Sequence, residues 1–354
     1  MPAPRLLAAG AACLTIAALA LPGPASAAAS DPFPGSTRSH YLTGTGTRAL
    51  QAAGMRDAAD ADGAGIVDAL VVLGAGESVD DGGVRLPGSG RHASYDDLRR
   101  AVVAYGRSWQ RAAHPPALTL VVMAAAHGGR VQRASGTQWG QLVSRVAAAL
   151  PGVDVRGGLD VEVEWATAAA VRGWLAGYLA ATTRGFVDVG SCTCPPLARL
   201  PAGWSRADLA AVATAGGRGV VVPQIYANAG GNATEWAALA RWATAHHHAP
   251  LRLAGVLTEQ AACAGPPRRP CAGIDLDPVT AFRQLSARSG QSLRWASDIG
   301  YLSAPGPVHP SALRPVLIGL GALAGAAAVS TLGLLAWRSR GRRRPRRRRS
   351  RRRR

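Results

Sequence analysis

Between residues 65 and 302 the chain alternates short, β-branched apolar runs with longer stretches rich in Ala, Leu, Arg and Trp, and this alternation restricts the fold more than any other feature. Strands are expected at Asp68–Leu73 (DALVVL), Leu118–Ala125 (LTLVVMAA), Gly158–Glu164 (GLDVEVE) and Gly185–Val189 (GFVDV). Three more are expected at Gly219–Tyr226 (GVVVPQIY), Leu251–Glu259 (LRLAGVLTE) and Leu293–Ile299 (LRWASDI). Helices are expected near 94–112, 136–149, 167–182, 205–215, 233–247 and 277–289, with Ser205 and Asn232 as N-caps. Strands separated by helices argue for a parallel sheet covered on both faces. Seven strands suit a TIM-like (β/α)-barrel, which typically takes about 250 residues. An open doubly wound sheet is the alternative, but the first strand leads into LGAGESVDDGG, a weak match to a dinucleotide-binding loop. Residues 37–60 are expected to add a helix. No eighth strand is evident, so the expectation is an α/β barrel with a missing or irregular strand.

The two ends of the chain are of another kind. Residues 1–28 read as a secretory signal peptide: Arg5, the apolar run Leu6–Leu21, Pro-Gly-Pro, then the small-residue site Ala25-Ser26-Ala27. Cys13 follows Gly10-Ala11-Ala12, a poor lipobox, and would leave with the signal. Pro315–Trp337 has 23 residues without a formal charge, close to the ~20 a helix needs to cross a bilayer core. RSRGRRRPRRRRSRRRR follows at once, and Arg flanking one side of a span places that side in the cytoplasm. The expected organisation is therefore signal peptide 1–28, exported domain 29–312, transmembrane helix 313–337 and Arg-rich cytoplasmic tail 338–354. The membrane is the expected partner through residues 315–337, with the tail against anionic lipid.

This division changes what the charge means. Of the formal net +19, thirteen charges sit in the tail and one at Arg5, which leaves +5 over residues 6–337. A pI near 11.3 read over the whole chain would suggest nucleic-acid binding. Placed directly after a membrane span, the same arginines are a stop-transfer signal, and no nucleic-acid partner is expected. The exported part holds four cysteines, Cys192, Cys194, Cys263 and Cys271, and an even number in an exported chain favours disulfides. Cys263 and Cys271 bracket AGPPRRP, where a loop-closing bond is natural, whereas a bond from Cys192 to Cys194 would be strained. Exchange between the two pairs stays open, and zinc is the runner-up although no His lies near either pair in sequence.

In a barrel of this kind chemistry belongs at the carboxyl ends of the strands. His127 follows the second expected strand, and Asp160, Glu162 and Glu164 lie on the third. Asp188 ends the fourth, Gln224 and Tyr226 the fifth, Glu259 the sixth and Asp298 the seventh. Buried strands otherwise avoid such groups, because an unpaired buried charge is costly. Side chains two apart on a strand point the same way, with Cα atoms ~6.5–7 Å apart, so Asp160 and Glu162 can share one pocket. Mutual repulsion would separate their pKa values into an acid and a base or nucleophile, the pair that a glycosidase needs. Solvent-facing acids over inward valines are the alternative. Trp165 and Trp204 sit in loops above the proposed site, where each can stack on a sugar ring or pack in the core. His246, His247 and His248 diverge around a helix end and are not read as a metal site. Glu77, Asp80 and Asp81 fit no calcium-loop spacing and read as a solvated loop.

DVEVEW (160–165) with the following AAAVRGWLAGYLAAT (168–182), VVVPQIYANAGGNATEWAALARW (220–242), LRLAGVLTEQAAC (251–263) and WASDIGYL (295–302) resemble exported, mostly unassigned proteins of high-GC Gram-positive bacteria. Those proteins carry a glycoside-hydrolase-like barrel, and the resemblance covers roughly residues 38–302. The use of Arg for all 40 basic residues, with abundant Ala and Gly, suits such a genome. More distantly, Asp-x-Glu on a barrel strand is similar to the cellosyl-type muramidases, which cleave peptidoglycan. The resemblance implies Glu162 as proton donor beside Asp160, with Asp188, Gln224, Tyr226, Glu259 and Asp298 lining a cleft. It implies a glycan or peptidoglycan substrate and no cofactor. Two positions depart from the family pattern: Glu164 is an extra acid, and the cysteine loop after the fourth strand is contracted to Cys-Thr-Cys. A non-catalytic surface module that keeps the barrel and binds through the cleft is the second reading, since fold does not imply function.

Overall fold

The computed structural model describes residues 38–79, 82–87, 89–125, 132–161, 163, 166–189, 200–225, 232–258 and 276–302, all within one compact unit that extends to Ala304. Its elements run β1 (Ser39–Leu42), α1 (Thr47–Gly63), β2 (Asp68–Val79), a hairpin of β3 (Gly83–Arg85) and β4 (His92–Ser94), then α2 (Tyr95–Trp109). They continue as β5 (Ala117–Ala125), α3 (Arg133–Ala149), β6 (Asp154–Asp160), α4 (Ala168–Ala181), β7 (Phe186–Asp188) and α5 (Arg206–Thr214). The last are β8 (Gly219–Val221), α6 (Asn232–Ala245), β9 (Gly255–Thr258), α7 (Pro278–Ser289) and β10 (Trp295–Leu302).

The hydrogen-bonded order is β8-β7-β6-β5-β2-β1-β10-β9, every pair along it parallel. The two ends of that path also meet. Parallel bridges join Val221 to Leu253 and Gln224 to Leu257, and Ala254 N donates to Val221 O at 2.8 Å while Leu257 N donates to Pro223 O at 2.9 Å. Eight parallel strands thus close into a ring with helices between consecutive members, the (β/α)-barrel architecture. The eighth strand, not evident in the sequence, is β1. Its four residues, SHYL, carry three polar side chains and so lack the apolar run that marks a buried parallel strand.

Alternation along the strands separates two packed layers. Leu70, Val72, Val121, Met123, Val187 and Leu257 fill the lumen, with Trp295 and Ile299. The neighbours Val71, Leu73, Val122, Val155, Leu159 and Phe186 face outward and pack beneath the helices. That outer layer holds the bulky buried indoles Trp109, Trp139, Trp174 and Trp236. Two of these donate to backbone carbonyls, Trp139 to Val122 and Trp109 to Pro116, which satisfies the one polar atom each ring buries.

Helix starts follow their caps. Ser205 accepts from Asp208 N and the Asp208 carboxylate returns to Ser205 N, a reciprocal box that fixes α5 at the expected residue. Ser94 caps α2 through its hydroxyl alone, which accepts from Asp97 N and donates to the Asp97 carboxylate. This hydroxyl is the main reason the Asp97 carboxyl titrates below its usual value. Asn232 opens α6 differently: its amide reaches back to donate to Gln224 O at 2.8 Å.

Register differs from expectation at β6. The strand expected over 158–164 ends at Asp160 and begins at Asp154, paired residue for residue with β5 from Thr119 to Ala125. Gly157 and Gly158 hide it from a propensity reading, yet both are required by close approach. A Cβ at Gly157 would meet the Tyr178 ring 2.6 Å away at Cζ, and one at Gly158 would lie 2.6 Å from Val121 Cγ1. β6 thus ends before Glu162 and Glu164, which lie outside the described residues. Among the described residues no helix is long and apolar enough to cross a membrane. The signal segment, the span at 313–337, the tail and all four exported cysteines lie outside the described residues.

Candidate active site at the carboxyl end of the barrel

Register pairing decides which side chains enter the lumen. Asp160 pairs with Ala125 at the end of β6, while its neighbours Leu159 and Val161 belong to the outer layer, so Asp160 points inward. Tyr41 pairs with Gly74, whose missing side chain makes room: a Cβ there would overlap the Tyr41 ring. Gln224 lies between Val222, in the lumen cluster, and Ile225, in the outer one.

These three side chains meet across the ring from β1, the end of β6 and the bridged segment just past β8. The Tyr41 hydroxyl donates to Asp160 Oδ2 at 3.4 Å, Gln224 Nε2 donates to the Tyr41 oxygen at 3.0 Å, and Gln224 Nε2 lies 3.5 Å from Asp160 Oδ2. Asp160 is 4% exposed and Gln224 1%. Gln224 is held from both sides, by its bridge to Leu257 and by the Asn232 amide on its carbonyl. Beneath this cluster Ser39 donates to Ser297 at 3.0 Å, and Val72, Met123, Leu257 and Ile299 leave no room for a water molecule.

Other expected cleft residues fall elsewhere. Asp188 is in register with Leu159 and Val221, both outer-layer residues, so its side chain belongs to the face turned toward the helices, where it is 1% exposed. Asp298 is in register with Thr258 and accepts from its hydroxyl at 2.8 Å. Its neighbours Ser297 and Ile299 face the lumen, which puts Asp298 and Thr258 on the outer face. Trp204 is buried, and its indole donates to Ala166 O at 2.7 Å. It ties the start of α5 to the segment after β6 as a core residue. His127, Glu162, Glu164, Trp165, Tyr226 and Glu259 lie outside the described residues, as do Asp80 and Asp81.

Two networks escaped the sequence reading. Tyr41 is the first, and the signal for it would have been the inward parity of SHYL had β1 been recognised. The second lies on the outer side of β1, where His40 Nε2 sits 2.6 Å from Asp57 Oδ2 on α1 and the Tyr105 hydroxyl donates to the same oxygen at 2.8 Å. Burial pushes the Asp57 carboxyl up, but the hydrogen bond and charge of His40, the Tyr105 hydroxyl and nearby Arg56 outweigh it and hold it below the usual value. Burial, then the charge of Asp57, raises the Tyr105 hydroxyl well above its ordinary range. At the end of α6, Trp242 is stacked against both His246 and His248, at 4.6 and 5.0 Å between ring centroids. Among the described residues no group of three His, Cys, Asp or Glu side chains is placed to hold a metal ion.

No family model matches the chain, and no curated protein matches it. Solved structures with a similar course include the mannanase catalytic domain from Streptomyces sp. SirexAA-E, 13% identical over 78% of this chain and 76% of that one, with a TM-score of 0.40. A psychrophilic family 10 endo-β-1,4-xylanase is 15% identical over 40% of this chain and 42% of its own, with a TM-score of 0.26. The carboxyl transferase domain of Rhizobium etli pyruvate carboxylase is 11% identical over 76% of this chain and 35% of its own, with a TM-score of 0.34. The chain thus spans less than half the length of the xylanase. At these scores likeness carries no weight for activity, and the barrel rests on its own strand order and closure.

Proposed function

We propose that this chain is an exported, membrane-anchored, glycoside-hydrolase-like protein that cleaves a cell-wall or extracellular glycan with the carboxylates Asp160 and Glu162. The observation that carries the reading is the cluster of Asp160, Tyr41 and Gln224 at the carboxyl end of the lumen, where (β/α)-barrels hold their chemistry. Two donors aimed at one carboxylate oxygen suit an anion, the form that a base, a nucleophile or an electrostatic partner of an oxocarbenium-like transition state requires. Glu162, two residues beyond, would be the proton donor to the leaving oxygen. The membrane anchor is the apolar run 315–337, with the domain outside and the Arg tail at anionic lipid on the inner side.

The second reading, a binding module without turnover, is favoured by one observation: Asp160 and Gln224 are almost fully buried over a filled lumen. There the cluster would serve as the polar cap of the barrel core. Full-length protein in neutral detergent, incubated with peptidoglycan and a panel of neutral glycans, separates the two. Release of reducing ends by the parent, falling about 100-fold or more in Glu162→Gln and also in Asp160→Asn, is the expected result. Folded parent that releases none from any polymer overturns the enzyme and leaves the module.

A further inference from the structure

On the opposite side of the wall from the lumen, α1 and α2 cross tightly at Gly54, where an added Cβ would overlap the carbonyl oxygen of Tyr105. Around that crossing the helix surfaces part into two hollows of about 500 and 280 Å³. Gln51 and Arg111 line both, so the hollows adjoin at these two residues. The wall on the α2 side is cationic. Arg100, Ala104 and Arg107 recur at helical spacing on one face of α2, Arg111 follows just past its C-cap Gln110, and Arg56 stands opposite on α1 beside Met55.

Local acids account for only part of this charge. Arg100 pairs with Asp97, Arg99 lies 3.6 Å from Asp96, and Arg56 lies 3.4 Å from Asp57. Arg107 and Arg111 are exposed and have no ion-pair partner among the described residues. A helix C-terminus favours one cation near Arg107, but it gives no reason for a trough or for a stripe running back along the helix. From Arg100 to Arg107 the helical stripe covers about 10 Å at 1.5 Å per residue, with Arg111 beyond it past the C-cap, too long for a single small anion. A lipid surface fits poorly, because among the described residues the only large exposed apolar side chain at the trough is Met55, at 46% exposure. Guanidinium groups pair well with phosphate and other oxyanions.

We propose that the trough between α1 and α2 binds an extended polyanion, a linear chain whose repeated phosphate-type groups pair with Arg100, Arg107 and Arg111. This site is independent of any reaction in the lumen. Its test is residue-resolved, because the Arg tail also attracts anions. Full-length protein in neutral detergent is treated with phenylglyoxal, with and without inorganic polyphosphate, and each arginine's modification is followed by peptide mass spectrometry.

Polyphosphate is expected to slow modification of Arg107 and Arg111 roughly fivefold, the combined effect of a few exposed charge contacts. Arg107→Glu should weaken the protection of Arg111, whereas Arg145→Glu, the same charge change on the exposed side of α3, should leave it intact. Equal loss in the two variants would reduce the effect to a general field and overturn the site. Protection confined to the tail would overturn it as well. Protection by phosphatidylglycerol vesicles but not by polyphosphate would replace it with a membrane-facing surface.

Discussion

Asp57 is buried against the outer side of β1 with its carboxylate shared by His40 and Tyr105. Because those partners hold its pKa below the usual carboxylate value, the unfolded chain takes up its proton at higher pH than the folded protein does. Asp57 therefore contributes its full stabilisation above about pH 4, and that contribution disappears as pH falls through the lower folded value. Urea unfolding at pH 7 and pH 3 should show the parent losing stability across the interval. Asp57→Asn should cost about 2–4 kcal/mol at pH 7, since it disrupts a buried hydrogen-bonded charge, and should lose less on acidification. An identical acid loss in both proteins would remove Asp57 as the source. Nothing in the spacing of His40 and Asp57 announces this pair, because it depends on how β1 and α1 lie together. The same limit applies to Asp188 and Asp298: their places at strand ends were legible, but the face each occupies follows from register with Leu159, Val221 and Thr258.

Element by element, the helices were the most legible part, since apolar periodicity and caps such as Ser205 are local. The strands were legible where they carry β-branched runs, as in β2 and β5, and obscure where glycine or polar residues replace them, as in β6 and β1. The hairpin β3–β4 was missed because its three-residue strands are too short to show a period. Glycines that hide an element from sequence often mark its closest contacts, and α3 against α4 shows this. A Cβ on Gly177 would overlap the carbonyl oxygen of Arg133, whereas one on Gly173, a turn earlier in the same helix, would find nothing nearer than Arg133 N at 4.0 Å. Gly177→Ala should therefore destabilise by about 1–3 kcal/mol as the helices are forced apart. Gly173→Ala should be neutral or stabilise by roughly 0.5–1 kcal/mol through helix propensity. Urea midpoints of the two variants decide the matter, and equal shifts would contradict the packing.

Across the whole molecule, closure is uneven around the ring. β2, β5 and β6 have 12, 9 and 7 residues, whereas β7, β8 and β9 have 3, 3 and 4. The β8–β9 seam is made of two isolated bridges around Pro223, which has no N–H to give. Local opening starts where few backbone bonds and few packed side chains must be broken together. The seam amides of Ala254 and Leu257 should therefore exchange with solvent through a partial opening, at a free energy below that of Leu120–Val122 in β5. Native-state hydrogen exchange at rising urea measures both: the seam amides should show weak urea dependence, and those of β5 the full dependence of global unfolding. Merged exchange at one free energy would mean that the ring opens only as a whole. Gln224 sits on this seam while its amide touches Asp160 and Tyr41, so each opening also releases one of the two donors that hold the lumen carboxylate. Gln224→Ala, which cuts that link and leaves the backbone bridge, should lower seam protection while leaving β5 unchanged.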